Sequence, residues 1–390
     1  MRLAGGASAQ MELNAARLLV SYQSRLFSDT VWKKTESVVW TNMVMPTELL
    51  YAAGCIPVHI ELMSGWMSTL GLAAGQIAYA HSAGFPVGVC SYHKAVIGAL
   101  ESGMLPPPKT AVLSSHICDG GTAMARYLRE RHGTEVFLLE VPYLDTPENR
   151  RLMRKRLAKL CGFFLRRMGR SFGRAELEEA VHLSNEARDE LVRANCMRSQ
   201  NLLFCGNLAL RNLFGLTFLL GSAEGARIAR AYREELESRV PMPGKYHRLL
   251  WVHFAPLFSG ELLRYFEQTL KCAVAFDMTG YIYWEPLDER RPLSSIAQKV
   301  MSHFLLGHSG GKPTLYNKII REMNIEAAVI FMHQGCRAIP GAAWELKELC
   351  VRQGLPCLEL YGDCIDPGGV SAQQMKLRMD AFSESLENRL

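Results

Sequence analysis

The chain has 390 residues, 48% of them hydrophobic and 21% charged, with a net charge of +6. This is ordinary globular composition, long enough for two or three domains, and the mild basic balance, without a Lys/Arg tract interleaved with stacking aromatics, excludes a nucleic-acid binder. No run of about eighteen apolar residues exists and Met1-Arg-Leu-Ala-Gly-Gly-Ala lacks the apolar core of a signal peptide, so no membrane partner is expected and the cytoplasm is the compartment indicated.

Ala9 to Ser28 has helical periodicity, with Leu13, Ala16, Leu19 and Tyr22 on one face, and residues 1–40 read as an N-terminal helical segment. A first α/β domain is expected over 41–145. Pro46 is placed to begin a helix, Gly54 to end it, and Ile56 to Ile60 to form a strand. A Gly-rich region, Gly65 to Gly75, follows. Gly84 to Val89 then reads as a short strand ending at Cys90, with a helix carrying Val96, Ile97 and Leu100 behind it. After the break at Pro106-Pro107-Pro108, Thr110 to Leu113 is a strand and Ser114 to Asp119 its terminal loop. Gly120-Gly121 opens a helix from Thr122 to Arg131, and Glu135 to Leu139 is the next strand. Strand, loop and helix in alternation are the pattern of a parallel sheet with crossover helices.

Residues 146–243 read as a helical connecting region. Thr146-Pro147-Glu148 supplies an N-cap and a first-position proline, and Glu176 to Arg193 is amphipathic. The basic segment Arg150 to Arg156 reads as a solvated helix face, with a nucleotide phosphate or an acidic partner as the alternative. A second α/β domain with a closing C-terminal helix is expected over 244–390. Its strands are Arg248 to Phe254, Cys272 to Phe276, Ala327 to Met332 and Pro356 to Tyr361. Helices at Gly260 to Leu270, Ile296 to Leu305, Leu315 to Met323 and Ala343 to Arg352 separate them. The fold class expected is α/β, with two halves built on one plan.

Eleven cysteines are many for a reducing compartment, and their odd number speaks against a disulfide framework. No C-x-x-C pair occurs, which argues against a zinc ribbon, a thioredoxin motif or a ferredoxin-type loop. A lone cysteine reads first as a small buried hydrophobe, and Cys161, Cys272, Cys350 and Cys357 fit that in helices or at strand starts. Cys55 falls just before a strand, and Cys196 and Cys205 at a helix end and the loop after it. Cys90, Cys118, Cys336 and Cys364 differ: each follows a strand-like run, where an open parallel sheet gathers its ligands. The clearest case is the apolar run Ala327 to Met332, which ends in His333-Gln334-Gly335-Cys336-Arg337. Three thiolates can bind zinc with a fourth ligand, or three corners of a cubane iron–sulfur cluster with one iron left open; spacing does not choose between them.

Asp363 and Asp366 flank Cys364 and read either as turn-closing residues or as groups that orient a ligand. His333 and His116 lie within three residues of candidate ligands, as outer donors to them or as hydrogen-bonded loop histidines. Glu48 is a first-turn acid favoured by the helix dipole, and also the candidate substrate-side acid. No G-x-G-x-x-G, Walker lysine motif or G-x-S-x-G is present, so ATP hydrolysis and serine-hydrolase chemistry are not expected.

At these residues the chain resembles the cluster-bearing subunits of 2-hydroxyacyl-CoA dehydratases and benzoyl-CoA reductases. The segments that carry the likeness are Pro46 to Gly54, Val89-Cys-Ser-Tyr-His-Lys-Ala-Val-Ile-Gly98, and Ser115-His-Ile-Cys-Asp119 with Val141-Pro-Tyr143. In the second half they are His333-Gln-Gly-Cys336 and Gly362-Asp-Cys-Ile-Asp366, with Gln374, Arg378 and Ala381-Phe382 behind. Order and spacing hold from about Met45 to the C-terminus. The resemblance implies two flavodoxin-like domains with a [4Fe-4S] cluster between them, held at Cys90, Cys118 and Cys336. It also implies a dimer, with a paralogous subunit or a second copy, and an ATP-dependent activator protein that supplies a low-potential electron. That electron would reduce a CoA thioester to a ketyl, acidifying an otherwise inert β-proton and allowing an α-hydroxyl to leave. Cys364, and the loop Gly368-Gly369-Val370 in place of an Arg-containing stretch, depart from the dehydratase pattern. The extra thiol resembles the double-cubane cluster reductases, and makes Cys364 a further metal-ligand candidate. A non-catalytic relay or scaffold subunit is the third reading.

Overall fold

In the computed structural model of the chain, residues 13–30, 37–169, 172–200, 202, 207, 213–239, 244–307, 312–369 and 371–388 are described. Cys205, Pro241, Pro243, Val370 and the first residues of the expected N-terminal helix lie outside them.

Valine-rich and alanine-rich runs build two sheets. In the first, β1 (Val38–Thr41), β2 (Ile56–His59), β3 (Thr110–Ser114) and β4 (Glu135–Leu139) lie in the order β2-β1-β3-β4, all parallel. In the second, β5 (His247–Val252), β6 (Cys272–Asp277), β7 (Ala327–His333) and β8 (Cys357–Gly362) lie in the order β6-β5-β7-β8, again all parallel. The inner strands β1, β3 and β7 are buried almost throughout. They therefore read as continuous apolar runs rather than alternating ones, as expected of a sheet covered on both faces by helices. The two orders are the same, so the expected pair of flavodoxin-like parallel-sheet domains is what forms.

The first half carries α1 (Asn14–Thr30), α2 (Thr47–Ala52), α3 (Ile60–Thr69), α4 (Ala73–Ser82), α5 (Ser91–Glu101) and α6 (Gly120–His132). Long helices follow: α7 (Pro147–Met168), α8 (Arg174–Gln200) and α9 (Ala223–Glu237). Thr146 caps α7, its hydroxyl accepting the Asn149 N–H at 3.2 Å ahead of the first-turn proline. The second half adds α10 (Glu261–Arg264, continued by a π-helical turn), α11 (Pro292–Met301), α12 (Lys312–Glu322), α13 (Ala338–Gln353) and α14 (Ala372–Glu387).

The structure corrects one local expectation and adds two elements that the sequence reading leaves open. β1, which sequence patterning does not reveal, occupies an inner position of the first sheet. Gly84 to Val89 is not a strand but a turn-rich approach to α5. Pro86 has no N–H to give a ladder, Gly84 is left-handed at φ +91°, and Val87 is 78% exposed. The Gly-rich stretch Gly65 to Gly75 holds the second half of α3 and the start of α4. The halves are locked together by these helices: Ser68 donates to the Ile365 carbonyl at 2.8 Å, and an apolar core runs from Trp40 and Met63 to Trp251 and Phe331.

Candidate functional site

In each sheet the chain reverses its direction of travel between two inner strands, β1 and β3 in one and β5 and β7 in the other. Such switch points leave a crevice at the carboxyl ends of the strands. Here the two crevices face each other and enclose one cavity of about 550 Å³. Asn42 holds the first one open, its amide accepting from the Ser114 N–H and donating to the Ser114 carbonyl, both at 2.8 Å. Beyond β1, β3, β5 and β7 the chain turns through left-handed residues that line the cavity: Val44 (φ +63°), Ile117 (+73°), His253 (+78°) and Gly335 (+77°). Three of the four are not glycine and two are β-branched, so the backbone is strained at this place.

Cys90, Cys118 and Cys336 all line the cavity and are partly exposed to it. Each stands at the start of a helix. Cys90 is the N-cap of α5, Cys118 lies two residues before α6, and Cys336 two residues before α13. Burial pushes all three thiols above their ordinary range, and backbone N–H groups of the adjoining helix starts act against it: Tyr92 on Cys90, Gly120 and Gly121 on Cys118, Ile339 and Ala338 on Cys336. Three helix N-termini therefore turn their unpaired N–H groups toward one set of sulfurs, an arrangement that favours thiolates and anions. The second half approaches closely. A Cβ on Gly335 would stand 2.9 Å from the Cys90 Cα, and Arg337 Nη1 reaches Asp119 Oδ2 at 2.7 Å.

Behind Cys90 lies a buried network. The Cys364 N–H donates to His333 Nδ1 at 3.0 Å, so Nδ1 is an acceptor and the ring proton sits on Nε2. That Nε2–H lies 3.4 Å from Cys90 Sγ and 3.5 Å from Ser91 Oγ. Ser91 in turn donates to Asp363 Oδ1 at 2.7 Å, which also takes the N–H groups of Ile365 and Asp366. Asp363 thus closes its own turn and orients a neighbour of the thiol at once. Asp366 accepts the Gly368 N–H at 2.9 Å. Cys364 does not join the cavity: it is fully buried, and its thiol donates to the Phe254 carbonyl at 3.3 Å.

The far end of the cavity is aromatic. Tyr283 packs on Trp284 and His303 with ring centroids 4.8 and 4.5 Å apart, and His303 meets His116 at 4.7 Å. Burial lowers the His116 imidazole to about 3. Lys299 reaches this end, its Nζ 4.5 Å from the Trp284 ring and 2.5 Å from Glu48 Oε1. Glu48 itself is fully buried behind Lys299, takes a second hydrogen bond from Ser184 at 2.7 Å, and does not line the cavity. Glu61 does line it. Its Oε2 accepts the Met43 N–H at 2.9 Å, and burial pushes its carboxyl up to about 7. Glu61, His253, Lys299 and His303 are site residues that sequence patterning does not single out. A signal exists for Lys299 alone, a lysine on the apolar face of Ile296, Ala297, Val300 and Met301.

Among the described residues, no three His, Cys, Asp or Glu side chains converge on a single metal-ion position. Cys90, Cys118 and Cys336, spaced around a shared cavity and backed by helix N-termini, are the residues that could hold a metal or cluster there. No helix among the described residues is long and apolar enough to cross a membrane. A family profile described as "2-hydroxyglutaryl-CoA dehydratase, D-component" matches residues 42–386. The chain is also similar to a benzoyl-CoA reductase subunit from Thauera aromatica, with 22% identity over 354 residues that cover 81% of each protein.

Proposed function

Because the chain belongs to the 2-hydroxyglutaryl-CoA dehydratase D-component family, we propose that it is the iron–sulfur subunit of a 2-hydroxyacyl-CoA dehydratase-like enzyme acting on a CoA thioester. The observation that carries this reading is the convergence of Cys90, Cys118 and Cys336, from three helix starts, on one cavity. These residues would hold a [4Fe-4S] cluster by three of its irons. When bound, such a cluster supplies a low-potential electron, received from a separate ATP-dependent activator, and a Lewis-acidic iron for a substrate oxygen.

The chain's own residues set the conditions. His333 Nε2–H points at the Cys90 sulfur, where a hydrogen bond stabilises thiolate charge. The aromatic wall formed by Tyr281, Tyr283, Trp284 and Phe304 excludes water from the acyl end. Glu61 is the carboxyl placed to hold or move a proton in the cavity, since near neutral pH it exists in both forms. Glu48 acts through Lys299 rather than on the substrate. The burial of Cys364 favours one cluster of four irons over a double cubane. A partner, either paralogous or a second copy, completes the enzyme; that the Thauera relative is itself one subunit of a larger reductase supports this.

Anaerobic protein with its cluster reconstituted, combined with partner, activator, ATP and a 2-hydroxyacyl-CoA, tests the reading. Formation of the 2-enoyl-CoA that stops with Cys118→Ser supports it. Reduction of an unsaturated thioester without dehydration would place the chain with the reductases, and inactivity of fully loaded protein toward any thioester would leave a relay or scaffold.

A further inference from the structure

We propose that the cavity admits an apolar, ring-sized acyl group and rejects one that ends in a second carboxylate, with Glu48 as the specificity-determining residue. The inference rests on the thioester reading above and deepens it. Among the described residues, two basic side chains of the lysine or arginine type line the cavity, Lys299 and Arg337. Both are already matched. Arg337 spans the mouth to Asp119 at 2.7 Å, with both side chains well exposed. Lys299 sits at the closed end, its side chain 8% exposed, and is neutralised by Glu48 at 2.5 Å.

Glu48 has an unusual position for this task. It is out of reach of a ligand, fully buried, and held by Ser184 as well as by Lys299. Its Oε2 makes no hydrogen bond, so an anion brought up to Lys299 would meet a cation whose charge is already taken up by the carboxylate behind it. A substrate carboxylate entering here would give up its water without a free cation to replace it, and burying an unpaired charge is strongly unfavourable. A phenyl or branched alkyl group meets the opposite situation. Tyr283, Trp284 and Phe304 offer ring faces and edges, the geometry in which aromatic groups pack well. The closed end thus sorts acyl groups by charge first and shape second. Glu48 carries out the sorting without touching the ligand.

The test uses equilibrium binding, which needs no turnover. Titration calorimetry on the full, anaerobically reconstituted chain compares 3-phenylpropanoyl-CoA with glutaryl-CoA, two thioesters that lack the 2-hydroxyl and share the CoA moiety. The wild type is expected to bind the phenyl thioester at least about tenfold more tightly, a difference of about 1.4 kcal/mol. Glu48→Gln, which leaves Lys299 without its counter-ion, should shrink that ratio at least about tenfold by improving glutaryl-CoA binding. The double variant Glu48→Gln/Lys299→Met, which has no charge at this end, should restore the rejection and controls for a Glu48→Gln protein that folds poorly. Wild-type binding of glutaryl-CoA as tight as that of the phenyl thioester overturns the charge filter and leaves the thioester reading intact. An unchanged ratio in folded Glu48→Gln removes Glu48 from the account. Binding of neither thioester overturns the thioester reading, and this inference with it.

Discussion

Gly335 shows how much one residue position can decide. It is left-handed, and it packs where a Cβ would press on the Cys90 backbone at 2.9 Å. Gly335→Ala must shift one thiol-bearing loop away from the other, so it should lower the iron retained per chain after anaerobic reconstitution, with Gly354→Ala, another left-handed glycine but with open space around it, retaining iron as the control. His333 offers a subtler test. With its Nε2–H beside the Cys90 sulfur, His333→Phe removes a hydrogen bond that stabilises negative charge, and the reduction potential of the bound cluster should move to more negative values in a spectroelectrochemical titration. Glu61 carries the pH dependence. Its carboxyl stands at about 7 in the folded chain against an ordinary 4.5, because burial disfavours the charged form. The stability of the neutral acid is therefore fully present below pH 4.5 and is lost as pH rises through 7, amounting to about 3 kcal/mol. Urea unfolding should show Glu61→Gln free of that decline, so the variant gains on the wild type between pH 4.5 and 7. Of these residues only the cysteines and His333 stand out in the sequence, the cysteines because they sit in loops and His333 because it ends a strand three residues before one of them. Lys299 is marked only by its apolar neighbours, and Glu61 looks like an ordinary helix charge until tertiary packing turns it inward.

At the scale of elements, the site is a set of helix starts. The loops before α5, α6 and α13 each deliver a thiol to the place where a helix offers unpaired N–H groups. Two of those helices follow inner strands directly, and this is legible in the sequence: an apolar run, then Cys118 or Cys336, then a helical pattern. The third is legible only as a motif. Cys90 follows no strand, since proline and solvent exposure keep Gly84 to Val89 out of a ladder. β1 is hidden for a related reason, as four buried residues are too few to show a period and their partner strands are distant in sequence. Gly65 hides α3: its propensity argues against a helix, yet its missing side chain is what lets α3 approach Leu257 of the second half, 3.0 Å from where a Cβ would be. The local signals that hold are terminal ones. Thr146 caps α7 as its sequence requires, and Thr146→Ala should cost about 1 kcal/mol in chemical denaturation, with iron content unchanged.

For the whole molecule, two sheets of the same order face each other across the cavity, and the shared core is what fixes their spacing. The exposed Arg337–Asp119 pair over the mouth adds little to that rigidity: Arg337→Ala should lower stability by less than about 1 kcal/mol, because solvent screens a pair so open. The central claim is that this architecture exists to present Cys90, Cys118 and Cys336 to one four-iron cluster. Iron and acid-labile sulfide, measured on anaerobically reconstituted wild type beside Cys336→Ser and Cys364→Ser, test it most directly. The account predicts about four irons per chain in the wild type, their loss in Cys336→Ser, and their retention in Cys364→Ser. Wild-type protein without iron, or with about eight irons that fall to four in Cys364→Ser, would contradict it.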